Sequence, residues 1–223
     1  MQGVVFDFDG VLVNSEPLHF RALRECLLPE GIAIDEDEYL REYLAYDDRE
    51  AIRIALEHHG CPWDGARVDT VARRKAALFE ALLRDVPFFP GARELATGLA
   101  RDVPLGIASG ALRAEIEAIL SAAGIRDSFT TVVGADDVAR SKPHPDPYLA
   151  ALAGLRRVSP RLQAGDCVAI EDSLPGIAAA LAAGLRVVAV AHTYPARKLA
   201  AAHLVVDSIA QVGSDDLRAL CRS

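Results

Sequence analysis

The chain is poor in the features that mark several large protein classes. Its four cysteines, Cys26, Cys61, Cys167 and Cys221, form no C-x-x-C pair and do not stand at zinc-like spacing with histidine. They read as free, mostly buried thiols of a reducing compartment rather than a disulfide framework. Positive charge is scarce: 24 Lys and Arg face 32 Asp and Glu, for a formal net charge of −8. A nucleic-acid partner is therefore not expected, because a phosphate backbone needs concentrated Lys and Arg. A small anionic substrate remains compatible, since one or two local cations suffice for it. The apolar start has no basic n-region and stops at Asp7, so no signal peptide is read. The most apolar later stretch, Gly176 to Val190, is interrupted by Gly184 and Arg186 and is too short to span a bilayer. No internal repeat and no low-complexity segment appear beyond alanine enrichment. The expectation is a cytoplasmic protein without membrane contact, a monomer or weak homo-oligomer.

What remains is a soluble globular composition, 51% hydrophobic and 25% charged over 223 residues. That is enough for one large core with a smaller accessory domain. The first ten residues, M-Q-G-V-V-F-D-F-D-G, carry an apolar run that ends on Asp7 and Asp9, with Gly10 directly after. They read as a buried strand breaking into a loop at its C-terminal end. An ordinary Asp-Gly turn would look the same in isolation.

The next stretch is helical in pattern. A helix is predicted over Pro17 to Leu28, with Ser15 as its N-cap and Pro17 in its first turn. Three more follow, over Asp37 to Leu44, Asp48 to His59 and Asp64 to Leu83, with no strand among them. So long an all-helical run is too large for a loop between a strand and its helix, which predicts an inserted helical domain. From Pro87 onward helices and strands alternate. Strands are predicted at Leu105–Ala108, Thr131–Val133, Cys167–Ile170, Val187–Val190 and Leu204–Val206. The intervening helices are Ala92–Ala100, Leu112–Ala123, Pro147–Leu155 (capped by Asp146) and Pro175–Ala183, with a last one near Asp215–Leu220. This alternation predicts an α/β fold with a doubly wound parallel sheet. The expected division is a core of residues 1–13 and 87–223 and an inserted α-helical domain of residues 14–86.

Ligands of open parallel sheets bind outside the carboxyl ends of the strands. Polar residues gather at those ends here: Asp7 and Asp9, Ser109, Lys142 in the loop after the third strand, and Glu171 with Asp172. Carboxylates beside one lysine and one hydroxyl suit a Mg²⁺ site next to a phosphate site, because Mg²⁺ favours hard oxygen ligands. Each group has a plainer reading when taken alone. Ser109-Gly110 makes a helix N-cap turn, Lys142 before Pro143 can face solvent, and Glu171-Asp172-Ser173 can cap the helix near Pro175. Their joint placement at separate strand ends favours one site.

Together Asp7-x-Asp9-Gly10-Val-Leu, Ser109-Gly110, Lys142-Pro143 and Glu171-Asp172-Ser173 resemble the four ordered motifs of the haloacid dehalogenase superfamily. The run Glu171 to Gly176 most resembles the branch of β-phosphoglucomutases and related sugar-phosphate phosphatases. The resemblance spans nearly the whole chain and makes the helical insertion similar to that family's cap. It implies Asp7 as the nucleophile forming an aspartyl phosphate, and Asp9 as the acid that protonates the leaving oxygen and then activates water. Mg²⁺ would be held by Asp7, Asp172, Glu171 and the Asp9 backbone carbonyl. Ser109, with the amides of its turn with Gly110, would grip the phosphoryl group, and Lys142 would offset its charge. Within the helical insertion, the resemblance makes His19 and Arg49 substrate-contacting or hinge-adjacent residues and Lys75 a cap lysine, all three candidates for substrate binding. The Arg73-Arg74-Lys75 trio reads equally as a solvated helix face. His58-His59 are expected to complement a helix end, His144 to be an incidental loop residue, and Trp63 to pack in a core. Tyr43 and Tyr46 are candidates for a substrate pocket. Asn14 replaces a common aspartate, and Leu44–Arg49 has Tyr46 in place of a frequent glycine.

The resemblance implies a Mg²⁺-dependent phosphatase for a small phosphorylated metabolite, such as a sugar phosphate or a phosphoglycolate-like compound. The alternatives are a β-phosphoglucomutase-type phosphosugar mutase and a non-catalytic binding or regulatory module.

Overall fold

The structure is a computed structural model that describes residues 1–44, 46–83 and 86–221. The chain divides into two compact units, Met1–Asn14 with Pro87–Ser223, and Ser15–Val86.

The larger unit is an α/β fold on a six-stranded, all-parallel sheet of order β3-β2-β1-β4-β5-β6. Its strands are β1 (Gly3–Phe6), β2 (Leu105–Ala108), β3 (Thr131–Val133), β4 (Cys167–Glu171), β5 (Arg186–Val190) and β6 (Leu204–Val206). Between and after them run α5 (Ala92–Leu99), α6 (Arg113–Ala122), α7 (Asp146–Arg156), α8 (Leu174–Ala182) and α9 (Ser214–Leu220). β1 is central because every residue of Gly-Val-Val-Phe is apolar and buried. A strand covered on both faces must be continuously apolar rather than alternating. Val5 and Ala169 pack with Tyr148, Leu152 and Leu155 of α7 and Ile177 of α8 in one cluster. The order reverses at β1, so β1 and β4 flank the switch point, where such sheets open a crevice. Phe6 is in register with Ile107 on one side and Ile170 on the other. The chain leaves and re-enters this unit through adjacent segments. Val13 pairs antiparallel with Phe88, and Asn14 N–H donates to the Pro87 carbonyl at 2.8 Å.

The smaller unit holds α1 (Glu16–Leu27), a short α2 (Glu36–Glu38), α3 (Asp48–His58) and α4 (Gly65–Leu82). α3 and α4 begin on Asp47 and Asp64, whose carboxylates accept backbone N–H bonds of the first turn. The core of this unit gathers Leu23, Cys26 and Leu27 of α1, Ile52 and Leu56 of α3, and Val68 and Val71 of α4.

Several local expectations need correcting. The helix predicted over Asp37 to Leu44 is only one turn of α2 passing into a π-helical turn, Tyr39–Tyr43. That turn buries both tyrosines while their hydroxyls reach Glu16 and Glu38. Ser15 stands at the N-cap of α1 in an αR conformation, without a side-chain capping bond. Asp146 is the first residue of α7 rather than its cap, which falls on Pro145. Trp63 is 44% exposed, not in a core, and lies beside the Arg53 guanidinium at 5.3 Å. His59 accounts for itself through Glu38, 2.9 Å from its Nε2. All four cysteines are free, with Cys26 and Cys167 buried and Cys61 and Cys221 partly so. Among the described residues, no helix is long and apolar enough to cross a membrane.

Candidate active site

The site grows from the end of β1. Asp7 continues the strand far enough to donate its N–H to the Ile170 carbonyl at 2.9 Å, which seats it beside the end of β4. The chain then turns tightly, with Leu12 N–H and Val13 N–H both donating to the Phe8 carbonyl at 2.9 and 3.1 Å. Gly10 permits this turn. Its φ of +78° lies in the left-handed region, and a Cβ there would come within 2.1 Å of Asp172 Oδ2. Only a glycine lets the loop close against that carboxylate. His192, which follows β5, holds the loop from the other side, with Nδ1 2.8 Å from the Gly10 carbonyl and its ring stacked on Phe89.

Asp7, Glu171 and Asp172 are all buried, and each offers one carboxylate oxygen to a group lying within 4.8 Å of one another. Lys142 bridges two of them, donating to Asp7 Oδ1 at 2.7 Å and to Glu171 Oε1 at 2.6 Å. Glu171 is the most heavily engaged. Its Oε1 also accepts from the Tyr148 hydroxyl at 2.9 Å, and its Oε2 accepts from Asp172 N–H, Ser173 N–H and the Ser173 hydroxyl. Gly176 makes room for it, since a Cβ at that position would meet Glu171 Oε1 at 1.6 Å. Asp172 Oδ2 accepts from the Thr193 hydroxyl.

The electrostatics follow from burial. Asp7 is pushed well above the ordinary carboxylate range by desolvation; Lys142 opposes the shift, and Glu171 and Asp172 reinforce it. Asp172 is raised to about 6, again chiefly by burial, with Thr193 working against it. Burial alone would lower Lys142, but the Asp7 and Glu171 carboxylates outweigh it and hold the ammonium above its usual range. Three carboxylates thus lie around one ammonium, which pairs with two of them. Hard oxygen donors carrying two formal negative charges beyond the lysine fit a divalent cation such as Mg²⁺. Glu171 accepts five hydrogen bonds, two of them from backbone N–H groups, so Asp7 and Asp172 are the less engaged of the three.

Ser109 follows β2, and its N–H donates to the Val133 carbonyl at 3.0 Å. Its hydroxyl oxygen accepts from Ala111 N–H at 3.0 Å, which leaves the hydroxyl proton to be given elsewhere. Gly110 is exposed beside it. Asp9 is half-buried, pairs through its backbone with Val13, and lies outside the carboxylate cluster. The structure therefore brings Asp7, Lys142, Glu171 and Asp172 into contact and sets Ser109, Gly110 and Asp9 at neighbouring strand ends.

In the helical unit, the Arg73-Arg74-Lys75 trio does not act as one solvated face. Arg73 is exposed, Arg74 binds the Cys26 carbonyl and Glu30, and Lys75 is buried against His19 and Asp48. His19 and Arg49 line a pocket in this unit together with Tyr46; Ala45 of the same loop lies outside the described residues.

Three contributors escaped the sequence. Thr193 and His192 stand just past β5, at the same sheet edge as the others, so the strand-end rule that found Glu171 would have found them. Tyr148 carries no such signal, because a tyrosine inside a helix reads as core.

A family model described as haloacid dehalogenase-like hydrolase matches residues 4–190. Hexitol phosphatase B of Escherichia coli (strain K12) is 34% identical over 189 residues, covering 83% of this chain and 82% of that protein. The bifunctional riboflavin kinase/FMN phosphatase of Arabidopsis thaliana is also 34% identical over 189 residues; the match covers 84% of this chain but only 48% of that longer protein. Among solved structures, a mutant of CbbY from Rhodobacter sphaeroides in complex with xylulose-(1,5)bisphosphate superposes with a TM-score of 0.74. It is 29% identical and covered over 96% of both chains.

Proposed function

Because the chain belongs to the haloacid dehalogenase-like hydrolases and is a phosphoric monoester hydrolase of that family, we infer that it releases phosphate from a small phosphorylated metabolite through an aspartyl phosphate on Asp7. A sugar phosphate or sugar-alcohol phosphate is the favoured substrate class. The observation that carries this reading is the buried Asp7–Lys142 pair at the switch point, closed on its other side by Asp172.

A carboxylate attacks a phosphate ester only if the repulsion between two anions is offset. Lys142 supplies part of that offset at Asp7 Oδ1 and remains in place by its second bond to Glu171. Asp7 and Asp172 would hold Mg²⁺ with the Asp9 backbone carbonyl, and the bound ion would neutralise further charge on the transferring group. Glu171, whose two oxygens already accept five hydrogen bonds, contributes its charge and fixes Lys142 and the Asp172 backbone. An Asp7 oxygen forms a bond to phosphorus as the ester P–O bond breaks, and the leaving oxygen takes a proton from Asp9. Asp9 then removes a proton from water, whose oxygen attacks phosphorus and frees the Asp7 carboxylate with inorganic phosphate. The Ser109 hydroxyl and the amides of its turn with Gly110 bind the phosphoryl oxygens. The helical unit, residues 14–86, acts as the cap that selects the substrate, through His19, Arg49 and Lys75.

The test is phosphate release from a panel of phosphate esters with Mg²⁺, for the native chain and for Asp7→Asn. The variant should fall to background, and peptide mass spectrometry of rapidly quenched native protein should find phosphate on Asp7. Undiminished turnover by Asp7→Asn would overturn the mechanism. Isomerisation of a hexose 1-phosphate without free phosphate would favour the mutase instead.

A further inference from the structure

The turn that follows β1 takes its shape from its own hydrogen bonds. Gly10 N–H donates to the Val13 carbonyl at 2.9 Å, and Leu12 and Val13 N–H both donate to the Phe8 carbonyl. Bonds internal to a turn fix its form but not its attitude to the sheet. A group from elsewhere in the sheet meets its tip. His192, half-buried just past β5, places Nδ1 2.8 Å from the Gly10 carbonyl. A carbonyl can only accept, so the imidazole carries a proton on Nδ1 and donates it there. In the sheet order β4 lies between β1 and β5. The bond therefore reaches across the end of β4 and ties the turn to a second strand end.

The ring of His192 is itself held. It stacks on Phe89 with centroids 3.9 Å apart and planes inclined by 18°, and Phe89 N–H donates to the Leu12 carbonyl at 3.0 Å. The contacts close a loop. Gly10 meets His192 by a hydrogen bond, His192 meets Phe89 by stacking, and Phe89 returns to the same turn at Leu12. Thr193, next in the chain, donates its hydroxyl to Asp172 Oδ2, the carboxylate against which the Gly10 backbone packs. Asp9 stands one residue before the tethered glycine. The peptide group that it shares with Gly10 is anchored to Val13, and the following one to His192. Gly10, at φ +78°, has no Cβ to restrict its rotation. Its conformation therefore depends on those two bonds, and freedom gained at the second peptide passes to the backbone of Asp9.

We propose that His192 is a positioning residue for proton transfer by Asp9. Through the Gly10 carbonyl it sets the attitude of the turn that carries the acid, and Phe89 backs its ring. Asp9 gives its proton to the ester oxygen as the P–O bond breaks; His192 acts on that step only through the backbone. The proposal rests on the phosphatase reading above, in which Asp9 is the acid, and adds to it a residue that lies outside the four motifs.

The test uses two leaving groups, with the full chain and saturating Mg²⁺. A sugar or sugar-alcohol oxygen needs the acid's proton to depart, whereas p-nitrophenolate leaves without it. His192→Phe keeps an aromatic ring against Phe89 and removes the donor. His192→Asn places an amide N–H near the position of Nδ1 and removes the ring. For the sugar or sugar-alcohol phosphate that the native chain hydrolyses fastest, His192→Phe should lower kcat/KM by about 10–10²-fold, the upper end being the cost of a 1 Å misplacement. For p-nitrophenyl phosphate it should change kcat/KM by less than about threefold. His192→Asn should recover most of the loss. Hydrogen exchange is read separately from turnover: in His192→Phe the Gly10–Val13 amides should exchange faster, while the Asp7 amide, bonded to Ile170, should not. Should His192→Phe not fold, Phe89→Leu is read in its place and should show the same bias between the esters. Equal losses on both esters, as general damage to the site would give, or no loss on either, would overturn the role of His192. Unaltered amide exchange would overturn it as well. Absence of phosphate release from every ester by the native chain would instead overturn the phosphatase reading, and the exchange result would still decide whether His192 tethers the turn.

Discussion

Replacing Lys142 by methionine removes one charge from a place where two carboxylates depend on it. The side chain is only 12% exposed, and its ammonium makes bonds of 2.7 and 2.6 Å to Asp7 and Glu171. Hydrogen bonds to charged groups contribute about 1.5–3 kcal/mol each, so roughly 3–6 kcal/mol is at stake. Breaking a buried ion pair by removing one partner costs about 3–5 kcal/mol, which agrees. Methionine keeps much of the lysine length, so packing loss is a lesser effect and the missing charge dominates. For a chain of this size about 1 kcal/mol shifts Tm by about 2–4 °C, which gives a drop of about 6–20 °C. The drop should be largest near pH 7.5 and shrink toward pH 5. Asp7 is already held well above its ordinary range, and without Lys142 it takes up a proton still more readily, relieving the unpaired charge. Phosphate release should fall by about 10²–10³, the usual effect of losing one donor to developing charge. Differential scanning fluorimetry in chelator and a phosphate-release assay with Mg²⁺ measure the two effects. A Tm within about 2 °C of the native chain at pH 7.5, with turnover within about twofold, would refute the reasoning.

Two further outcomes follow from the same cluster. Asp172 has a folded-state pKa of about 6 against about 3.9 unfolded. Between those values the folded chain holds a proton that the unfolded chain has released, so metal-free stability declines as pH rises from about 4 to about 6, by about 3 kcal/mol. A divalent cation that needs the ionised carboxylate should therefore raise Tm more at pH 7.5 than at pH 5; equal shifts in a thermal scan at both pH values would contradict this. Tyr148→Phe removes a fully buried hydroxyl that donates to Glu171 and leaves the aromatic body in place. It should cost about 1.5–3 kcal/mol and lower kcat several-fold with KM nearly constant, because Lys142 loses part of its anchor; a change confined to KM in steady-state kinetics would argue against that role.

How much of this was legible in the sequence depended on the kind of signal. The parallel sheet and its polar edge were readable because apolar runs ended abruptly on Asp7, Ser109 and Glu171, and one rule of parallel sheets gathers such ends together. The division near residues 14 and 87 was suggested by a helical run too long for a loop. The roles inside the cluster were not readable in the same way. Nothing in Glu171-Asp172 tells which carboxylate takes up most of the surrounding hydrogen-bond donors; the closed turn on Gly10 against Asp172 and the space left by Gly176 for Glu171 separate them. Lys75 was ambiguous because Arg73-Arg74-Lys75 has one composition but three environments. A helix turns by 100° per residue, so neighbours in sequence face different surroundings. The Tyr39–Tyr43 π-turn was hidden because its tyrosine hydroxyls are satisfied by Glu16 and Glu38, partners fixed by tertiary packing rather than by pattern.

The two lysines of the chain that lie buried among carboxylates make the same physical point with opposite consequences. Lys142 bonds two of three clustered buried acids, so its neighbourhood remains negative and suits a cation. Lys75 is matched to one acid, and its neighbouring histidine is kept neutral, so no positive charge is left over for an anion. In a low-dielectric site, the balance of charge decides what may enter more strongly than the presence of any one residue type. A buried lysine is thus a sign of anion binding only when its counter-ion is absent, and beside Lys75 the Asp48 carboxylate supplies that counter-ion.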